Sequence, residues 1–367
     1  MQSVPSITIQ LDDQHTLVGR SRAGDGTSFV LPEMKWMLDC GVRCVPGFVP
    51  THVFLTHTHA DHVSDLAHVA LSSLATSHTP KQTIIYLPAK AVPFVDRYLK
   101  HYRAMIEFQE HDHHHHHHHD DQPLMLPYQL VGCQPGQSFI VQAKNGEEFH
   151  VTVLNCHHRI DCIGFSIHRR TWTLPLEYQR LTPTDKKDLA LQLKAEGKTM
   201  KDLKVAGTQP FLCFMGDTTQ NVFDEWGTIM AQHSTILIEC TYLDDDSYLP
   251  KAMEYGHMHW NHLRPFVEQH PNNWFVIIHT SLMYKPLQLR RFFAPYTNVH
   301  VCISQQDVDR DWNKQKEKKQ QQQQQQQDYQ ISESLESTSH DYGTTTITLD
   351  RDEPSAPICR CMRCRPP

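Results

Sequence analysis

The residues best suited to chemistry in this chain are the three histidines and one aspartate of the hexapeptide HTHADH at positions 57–62. The hexapeptide follows an apolar stretch, residues 51–56, which predicts a strand that ends where the hexapeptide begins. Burying three imidazoles and a carboxylate together is unfavourable unless bound cations offset their desolvation. The hexapeptide therefore predicts a metal site at the end of a strand.

The spacing within the hexapeptide predicts two cations rather than one. In an extended segment the alternate side chains of His57 and His59 point the same way, whereas Asp61 and His62 turn toward a second position. Paired cations in hydrolase sites lie about 3.5–4 Å apart. A histidine-rich surface loop is the alternative, since the chain contains 28 histidines, but the apolar strand in front disfavours it.

Further ligands are predicted at the ends of three later apolar strands. These segments are residues 151–158, which end in His157 and His158, residues 211–219, which contain Asp217, and residues 274–281, which contain His279. A single histidine or aspartate in such a place is more often a satisfied polar residue or a turn former. Their joint occurrence, in this order, favours a shared site.

With these elements in this order, the sequence resembles the metallo-β-lactamase superfamily and, within it, short-form tRNase Z, the endoribonuclease that removes the 3′ trailer from precursor tRNA. The resemblance covers most of residues 15–305. Beyond HTHADH it rests on His158 with Gly164-Phe165, GDTT at 216–219, IECTYLDD at 238–245, GHMH at 256–259, and His279. The GHMH element and the ECTYLD segment look particular to tRNase Z. The resemblance implies an α/β fold, the four-layer αββα sandwich.

The resemblance also implies two zinc ions per subunit and a ligand set for each. One ion would be bound by His57, His59 and His158, the other by Asp61, His62 and His279, with Asp217 between both. Manganese or iron would also suit such a His/Asp site. A hydroxide shared by the ions would attack the phosphodiester in line, and the tRNA would keep a 3′-hydroxyl.

Two residues are predicted to act directly in catalysis. Asp61 would orient the nucleophile or accept its proton, and His259 would donate a proton or hydrogen bond to the departing 3′ oxygen. His257 lies in the same GHMH element, and the sequence alone does not show which of the two faces inward; we predict His259. For the third ligand, the spacing to Gly164 favours His158 over His157, which would support it as a neighbour.

Two positions depart from the family pattern. Met283 stands before Tyr284 where an arginine is usual, and Trp260-Asn261 follow His259 where a small hydroxyl residue is common. All seven predicted ligands remain, which favours an active enzyme over a non-catalytic RNA-binding homologue. A dinuclear hydrolase of a small phosphodiester or sulfate ester is a further alternative, because fold and ligands are shared across such activities.

A basic segment, residues 169–208, is predicted to hold the polyanionic substrate. The formal net charge is −7, so there is no global basic field and RNA binding would have to be local. Residues 169–204 contain nine Lys or Arg against five acidic residues, and a helix is predicted over 185–196, capped by Thr184 and closed by Gly197. The resemblance implies a tRNA-binding arm here, which in a homodimer serves the partner's active site. An ordinary solvated helical excursion is the alternative.

Composition predicts a catalytic domain, residues 1–305, followed by a low-complexity and disordered tail, residues 306–367. A His-rich loop insertion at about 111–121 is given no catalytic role, because a homopolymer provides no fixed ligand geometry. The tail contains a glutamine run at 320–327 and three cysteines at 359–364. We expect these cysteines to be free thiols, since a structural zinc site needs a fourth ligand.

The remaining features predict a soluble intracellular enzyme of the cytoplasm or nucleus, without membrane association. No apolar run approaches the roughly 18 residues of a membrane span, and the first residues match neither a signal peptide nor a mitochondrial presequence. The eleven cysteines are an odd number, which disfavours a disulfide framework. Cys156, Cys213 and Cys240 fall in apolar strands and are predicted to be buried.

Overall fold

Two mixed β-sheets of seven strands each form the centre of the structure, a computed structural model that describes residues 5–76, 82–107, 126–243 and 245–338. The first sheet consists of β1 (Ile7–Gln10), β2 (Thr16–Arg22), β3 (Gly26–Leu31), β4 (Trp36–Cys40), β5 (His52–Phe54), β6 (Thr83–Pro88) and β7 (Tyr128–Cys133), in that order. The second consists of β8 (Ser138–Gln142), β9 (Glu148–Cys156), β10 (Cys162–Thr173), β11 (Val205–Phe214), β12 (Thr235–Glu239), β13 (Trp274–Ile278) and β14 (Val299–Val301), also in chain order.

The two sheets repeat one pattern of strand directions. In each, the first four strands pair antiparallel and the last three continue the sheet in parallel. Parallel strands are covered on both faces and need continuous apolar sequence. The segments TILIE of β12 and WFVII of β13 meet this need, since every residue except Trp274 is buried.

The described residues also include ten α-helices. They are α1 (Ala60–Val63), α2 (Leu66–Thr76), α3 (Val92–Glu107), α4 (Leu176–Gln179), α5 (Pro183–Ala195), α6 (Asn221–Met230), α7 (Leu249–Tyr255), α8 (Trp260–Gln269), α9 (Pro286–Phe293) and α10 (Gln305–Thr338). Helices α2 and α3 pack on the first sheet, and α6, α8 and α9 pack on the second.

The inner faces of the two sheets pack against each other around aromatic side chains. The ring of Trp36 lies 5.0 Å from that of Phe149, and the ring of Phe54 lies 5.3 Å from that of Phe165, so both contacts join the first sheet to the second. Two sheets face to face with helices outside form four layers. The αββα sandwich predicted from the sequence is confirmed.

The chain divides into two units, Met1–Trp312 and Asn313–Pro367. Helix α10 runs through the glutamine segment for which the sequence predicts disorder, and here the structure differs from the prediction. Glutamine, lysine and glutamate have high helix propensities, and residues 312–328 are exposed on every side of the helix. The predicted His-rich insertion and the cysteines of the tail lie outside the described residues. No described helix is long and apolar enough to cross a membrane.

Candidate metal centre

Side chains from four strand ends converge on one cluster at the edge of the sandwich. They are His57, His59, Asp61 and His62 after β5, His158 after β9, Asp217 after β11, and His279 after β13. The four segments were the strand ends picked out in the sequence. The structure therefore brings together all seven residues predicted as ligands, from positions more than 200 residues apart.

A first group of ligand atoms belongs to His57, His59, His158 and Asp217. The Nδ1 atom of His59 lies 3.1 Å from both His57 Nε2 and His158 Nε2. The Oδ2 atom of Asp217 lies 3.6 Å from His57 Nε2 and 3.9 Å from His158 Nε2. Ligand atoms around a tetrahedral zinc ion with bonds of about 2.0–2.1 Å lie about 3.4 Å apart, so this group has the dimensions of one cation site.

A second group belongs to Asp61, His62 and His279. The Nε2 atom of His279 lies 3.1 Å from Asp61 Oδ2, and His62 Nε2 lies 3.9 Å from the same oxygen. Asp217 also borders this group, with Oδ1 at 3.6 Å from His62 Nε2 and Oδ2 at 3.3 Å from His279 Nε2. The carboxylate of Asp217 thus lies between the two groups, the place that the resemblance implies for it.

Two buried atoms show that the cluster fits cations. His62 Nε2 and Asp217 Oδ1 are buried and have no hydrogen-bond partner among the described residues. An unpaired buried polar atom costs about 1–3 kcal/mol, and a cation between these two atoms would satisfy both. Imidazole nitrogens with carboxylate oxygens are a donor set that suits zinc, manganese or iron. The residues therefore fit a pair of divalent cations.

The histidine nitrogens that face away from the cluster have partners of their own. His57 Nδ1 donates to Thr56 Oγ1 at 3.0 Å, His62 Nδ1 to Asp39 Oδ2 at 2.7 Å, His158 Nδ1 to the Gly256 carbonyl at 2.7 Å, and His279 Nδ1 to Thr241 Oγ1 at 3.0 Å. Such bonds fix the tautomer and the ring orientation of a ligand. When these four rings are neutral, the Nε2 lone pair of each is left for the cluster.

The backbone adopts unusual conformations where it positions these side chains. Asp39 has φ +50° at a bulge of β4, and His279 has φ +55°. Positive φ in such residues costs about 1–3 kcal/mol and is concentrated at functional sites. Gly256 ends α7 with φ +69°, and a Cβ there would lie 3.1 Å from the Cα of His158. Only glycine therefore allows the carbonyl of residue 256 to reach the His158 ring.

The electrostatics of the cluster favour metal binding. Burial lowers the pKa of His57, His59 and His158, so these rings are neutral and their lone pairs are available. Burial acts in the same direction on His62, but Asp217 and Asp39 outweigh it and raise the pKa of His62 to about 9. Burial raises the pKa of Asp217, yet the surrounding histidines hold it far below its usual range. A cation that binds His62 must displace its proton.

His257 is an additional member of the cluster. Its Nδ1 atom lies 3.1 Å from Glu239 Oε1 and 3.7 Å from Asp217 Oδ2, and its ring stacks on that of His279 with centroids 5.1 Å apart. Burial lowers the pKa of His257, but the carboxylate of Glu239 outweighs this and raises it to about 9. The side chain is 15% exposed, so the ring lies at the rim where a substrate can reach it.

His259, which the sequence predicts as the proton donor, lies at a different place, directly before helix α8. Its ring is fully buried, and it caps helix α8 because Nδ1 accepts the Asn261 N–H at 3.1 Å. The Nε2 atom donates to the carbonyl of Asp245 at 3.2 Å. Both ring nitrogens are thus used within the fold. The position directly before a helix was the signal available in the sequence, since polar residues there satisfy free N–H groups.

Glu239 is a site residue that the sequence analysis missed. It is fully buried at the end of β12 and accepts hydrogen bonds from the Thr218 N–H and the Thr241 hydroxyl as well as from His257 Nδ1. It therefore connects the loops that carry Asp217, His257 and His279. The signal in the sequence was the same as for the other site residues, a charged side chain at the end of an apolar strand.

The surroundings of the cluster include an open cavity. His157 turns away from the cluster, with Nε2 at 3.1 Å from Glu225 Oε2, so the structure brings His158 and not His157 to the site. A cavity of about 730 Å³ borders His158 and is also lined by Lys90, Gln134 and Arg159. This volume is in the range of pockets that hold a small ligand, about 300–1,000 Å³.

The basic segment 169–208 forms a hairpin extension of the second sheet. Its two sides are the outer parts of β10 and β11, which pair from Arg169–Gln209 to Thr173–Val205, and α4 and α5 lie between them in the chain. Helix α5 begins at Pro183 with Thr182 as its cap, two residues before the predicted start and with a different capping threonine. Proline is well suited to the first helical position, because its missing N–H would have no partner there.

No family model matches the chain. The tRNase Z TRZ1 of Arabidopsis thaliana is 25% identical over 280 residues, which are 74% of this chain and 86% of that protein. The ribonuclease Z of Macrococcus caseolyticus (strain JCSC5402) is 25% identical over 287 residues, 73% of this chain and 85% of that protein. The solved structure of human tRNase Z, short form (ELAC1), is 17% identical, covers 78% of this chain and 95% of that chain, and has a TM-score of 0.47.

The tRNase Z and the ribonuclease Z align with 74% and 73% of this chain. The resemblance to tRNase Z that the sequence motifs indicate is thus confirmed, and the chain is similar to these enzymes over most of its length.

Proposed function

We propose that this protein is an endoribonuclease that removes the 3′ trailer from precursor tRNA by metal-dependent phosphodiester hydrolysis. The observation that carries the proposal is the convergence of seven ligand side chains, together with the Glu239–His257 pair, in a chain similar to tRNase Z. We further propose that the cofactor is a pair of zinc ions, one in each group of ligand atoms.

Two divalent cations in the cluster would supply a water of pKa about 7 and neutralise charge on the phosphate. The residues of the chain determine where this chemistry takes place. Asp61 receives the N–H of Gly24 at 2.7 Å on Oδ2, the same oxygen that faces His279. His279, His62 and this N–H overcome the effect of burial and lower the pKa of Asp61, so its carboxylate is ionised. Asp61 thereby orients the attacking water and accepts a hydrogen bond from it.

His257 is assigned the role of proton donor to the departing 3′ oxygen, in place of His259. The ring lies at the exposed rim of the cluster, and Glu239 holds Nδ1, so the opposite nitrogen is the one available to substrate. Glu239 is itself fixed by the Thr218 N–H and the Thr241 hydroxyl. A buried carboxylate behind an imidazole orients the ring and stabilises its protonated form. With the proton delivered to the 3′ oxygen, the tRNA product carries a 3′-hydroxyl.

The basic segment 169–208 is proposed to bind the tRNA away from the scissile bond. Five of its basic side chains, Arg180, Lys187, Lys194, Lys201 and Lys204, are exposed and form no ion pair with any described residue. Arg169, by contrast, is paired with Asp12 and Glu147, and Arg170 with Glu148. The unpaired charges are therefore available for phosphates, which supply most of the affinity of RNA-binding surfaces. Following the resemblance, we expect a homodimer in which each arm serves the other subunit.

Incubation of the purified protein with a 3′-extended precursor tRNA tests the proposal, with Asp61→Ala as control. We expect one cut at the trailer junction, a 3′-hydroxyl on the tRNA and a 5′-phosphate on the trailer, all abolished by D61A. Light scattering on the same sample measures whether the protein is a dimer.

Absence of trailer release with either zinc or manganese would overturn the proposal. Hydrolysis of a chromogenic phosphodiester by a protein that leaves precursor tRNA intact would identify a hydrolase of small esters instead. Binding of precursor tRNA without cleavage of either substrate would identify a non-catalytic RNA-binding protein.

A further inference from the structure

The turn between β2 and β3 contacts two ligands of the second group, although it contributes no ligand itself. The Gly24 N–H donates to Asp61 Oδ2 at 2.7 Å. The Ser21 hydroxyl accepts the N–H of His279 at 2.8 Å, and the Ala23 N–H donates to the carbonyl of Thr280 at 3.2 Å. Residues 21–24 thus hold Asp61 and His279 from one side, and they are more than 250 residues from His279 in the chain.

Arg22 forms the most extensive of these contacts. Its side chain is buried, and its guanidinium donates to three carbonyls that follow His279. The Nε atom donates to Thr280 O at 3.0 Å, and one terminal nitrogen donates to Ser281 O at 2.7 Å and to Tyr284 O at 2.8 Å. We name residues 279–284 the His279 loop. Arg22 is bonded to this loop at its beginning, middle and end.

The His279 loop needs such an external support. His279 has φ +55°, a conformation that costs about 1–3 kcal/mol in a residue with a Cβ and persists only where the surroundings impose it. The ring must also remain 3.1 Å from Asp61 and 3.3 Å from Asp217 to complete the second group. A fork of donors that binds three carbonyls fixes the backbone more completely than a single hydrogen bond.

The charge of Arg22 is balanced in an unusual way. Among the described residues no carboxylate forms an ion pair with its guanidinium. Asp307 and Asp25 act on its charge from further away, and the loop carbonyls are in direct contact with it. Met283 lies in the same loop, and its side chain is 45% exposed. A guanidinium from β2 therefore contacts this loop from the inside, while the loop's own side chain at 283 faces outward.

We propose that Arg22 is a positioning residue for the second cation site. Arg22 holds the His279 loop in the conformation that directs His279 Nε2 toward Asp61 and Asp217. The inference rests on the metal site of the proposed function but not on the RNA substrate. It predicts that loss of the guanidinium weakens the binding of the second cation selectively. The first group is expected to be unaffected, because none of its ligands contacts Arg22.

Cation binding to the chelator-treated protein tests this proposal directly, with Co²⁺ followed by its absorption spectrum and Zn²⁺ by competition with a chromophoric chelator. Arg22→Met is compared with Arg20→Met, since Arg20 lies on the same strand but pairs with Asp25 at the surface. Arg22→Lys retains the charge without the fork. His279→Ala and His59→Ala serve as references for loss of the second and the first site.

We expect R22M to bind the first equivalent of metal ion with the affinity of the wild type. It should bind the second equivalent at least about tenfold more weakly, which is the usual effect of losing a residue that supports a metal ligand. R22K should be intermediate, R20M unchanged, and R22M/H279A no weaker than H279A alone. The proposal is overturned if R22M retains both equivalents at full affinity, or if both weaken to the same extent. If R22M does not fold, R22K is judged by the same two criteria.

These outcomes are independent of RNA cleavage. Wild-type protein that binds two cations but leaves precursor tRNA intact would reject the proposed function and leave the role of Arg22 in place. Conversely, R22M that binds both cations tightly would reject the role of Arg22 and leave the proposed function in place.

Discussion

The candidate metal cluster and the basic arm differ in how they hold their polar side chains. In the cluster, His57, His62 and Asp217 are buried, and nearly every ring nitrogen is fixed by a second partner. In the arm, Lys187 and Lys194 are exposed and have no ion-pair partner among the described residues. Chemistry on one phosphodiester needs atoms fixed to within about 0.5 Å, whereas attraction of a polyanion needs only charge in the right region.

This difference determines how each region should respond to substitution. Members of a fixed cluster act as a unit, so loss of any one removes most of the function and further losses add little. Exposed charges act through a screened field, so their losses are small, nearly additive and sensitive to salt. Substitutions in the two regions should therefore differ in size and in the kinetic constant that they change.

Replacement of the carboxylate shared by both groups should have the largest effect. Asp217→Ala removes the carboxylate that borders both cation positions. It leaves His57, His62 and His279 without the negative charge that they face. We expect loss of bound metal and a fall in kcat for precursor tRNA of about 10⁴-fold, the size seen when one member of a catalytic unit is removed. Metal analysis and single-turnover cleavage measure the two quantities.

Asp65→Asn is the matched control for D217A, since Asp65 follows the ligand hexapeptide but pairs with Arg43 at the surface. It should retain metal and activity. Full metal content and cleavage in D217A would show that the cluster is not a unit and would remove the contrast with the arm.

The two histidines of the GHMH element should differ in what their loss affects. His257→Ala should lower kcat by about 10²–10⁴-fold, the contribution of a general acid, while both cations remain bound. His259→Ala removes a helix cap and a buried ring, so we expect a loss in the free energy of unfolding of about 1–3 kcal/mol instead. Cleavage rates and thermal unfolding of the metal-loaded variants distinguish the two effects. A greater loss of kcat in H259A than in H257A, with metal retained, would return the catalytic role to His259.

The contrast between these histidines also shows what the sequence could predict. Ligand loops such as HTHADH follow apolar strands, and the recurrence of His and Asp at four strand ends predicted that these side chains meet. The burial of Cys156, Cys213 and Cys240 is confirmed for the same reason, since apolar strands in a sandwich are covered on both sides. Strand position and hydrophobic pattern are local properties that one sequence displays.

Orientation depends on partners that are distant in the sequence. Glu239 orients His257 by a bond across 18 residues, and His259 caps helix α8 because the helix begins there. Arg22 binds a loop more than 250 residues away, and the sequence near either segment does not predict this contact. For helix α10 the sequence analysis left out helix propensity. The low complexity of the segment suggested disorder, although glutamine and lysine favour a helix.

Removal of charge from the arm should have a smaller effect, and on a different constant. Conversion of Arg180, Lys187, Lys194, Lys201 and Lys204 to Gln should raise the KM for precursor tRNA about tenfold or more, leave kcat within about twofold, and reduce the salt dependence of binding. Hydrolysis of a chromogenic phosphodiester should not change. The control replaces Lys314, Lys316, Lys318 and Lys319 of α10, which are also exposed. An equal rise of KM in the control would mean that any basic cluster serves, and no rise in the arm variant would end its proposed role.

The smallest effect is expected from the cap of the arm helix. Thr182 accepts the Asp185 N–H at 3.2 Å, so Thr182→Ala should destabilise helix α5 by about 1 kcal/mol. Because α5 contributes mainly Leu193 to buried surface, the loss should remain local. Hydrogen exchange should be faster in residues 183–195 and unchanged in β12 and β13, while metal content and hydrolysis of the small phosphodiester stay constant. If T182A also loosens the strands beneath the cluster, the two regions are energetically coupled, and recognition by the arm and chemistry in the cluster can no longer be treated as separate.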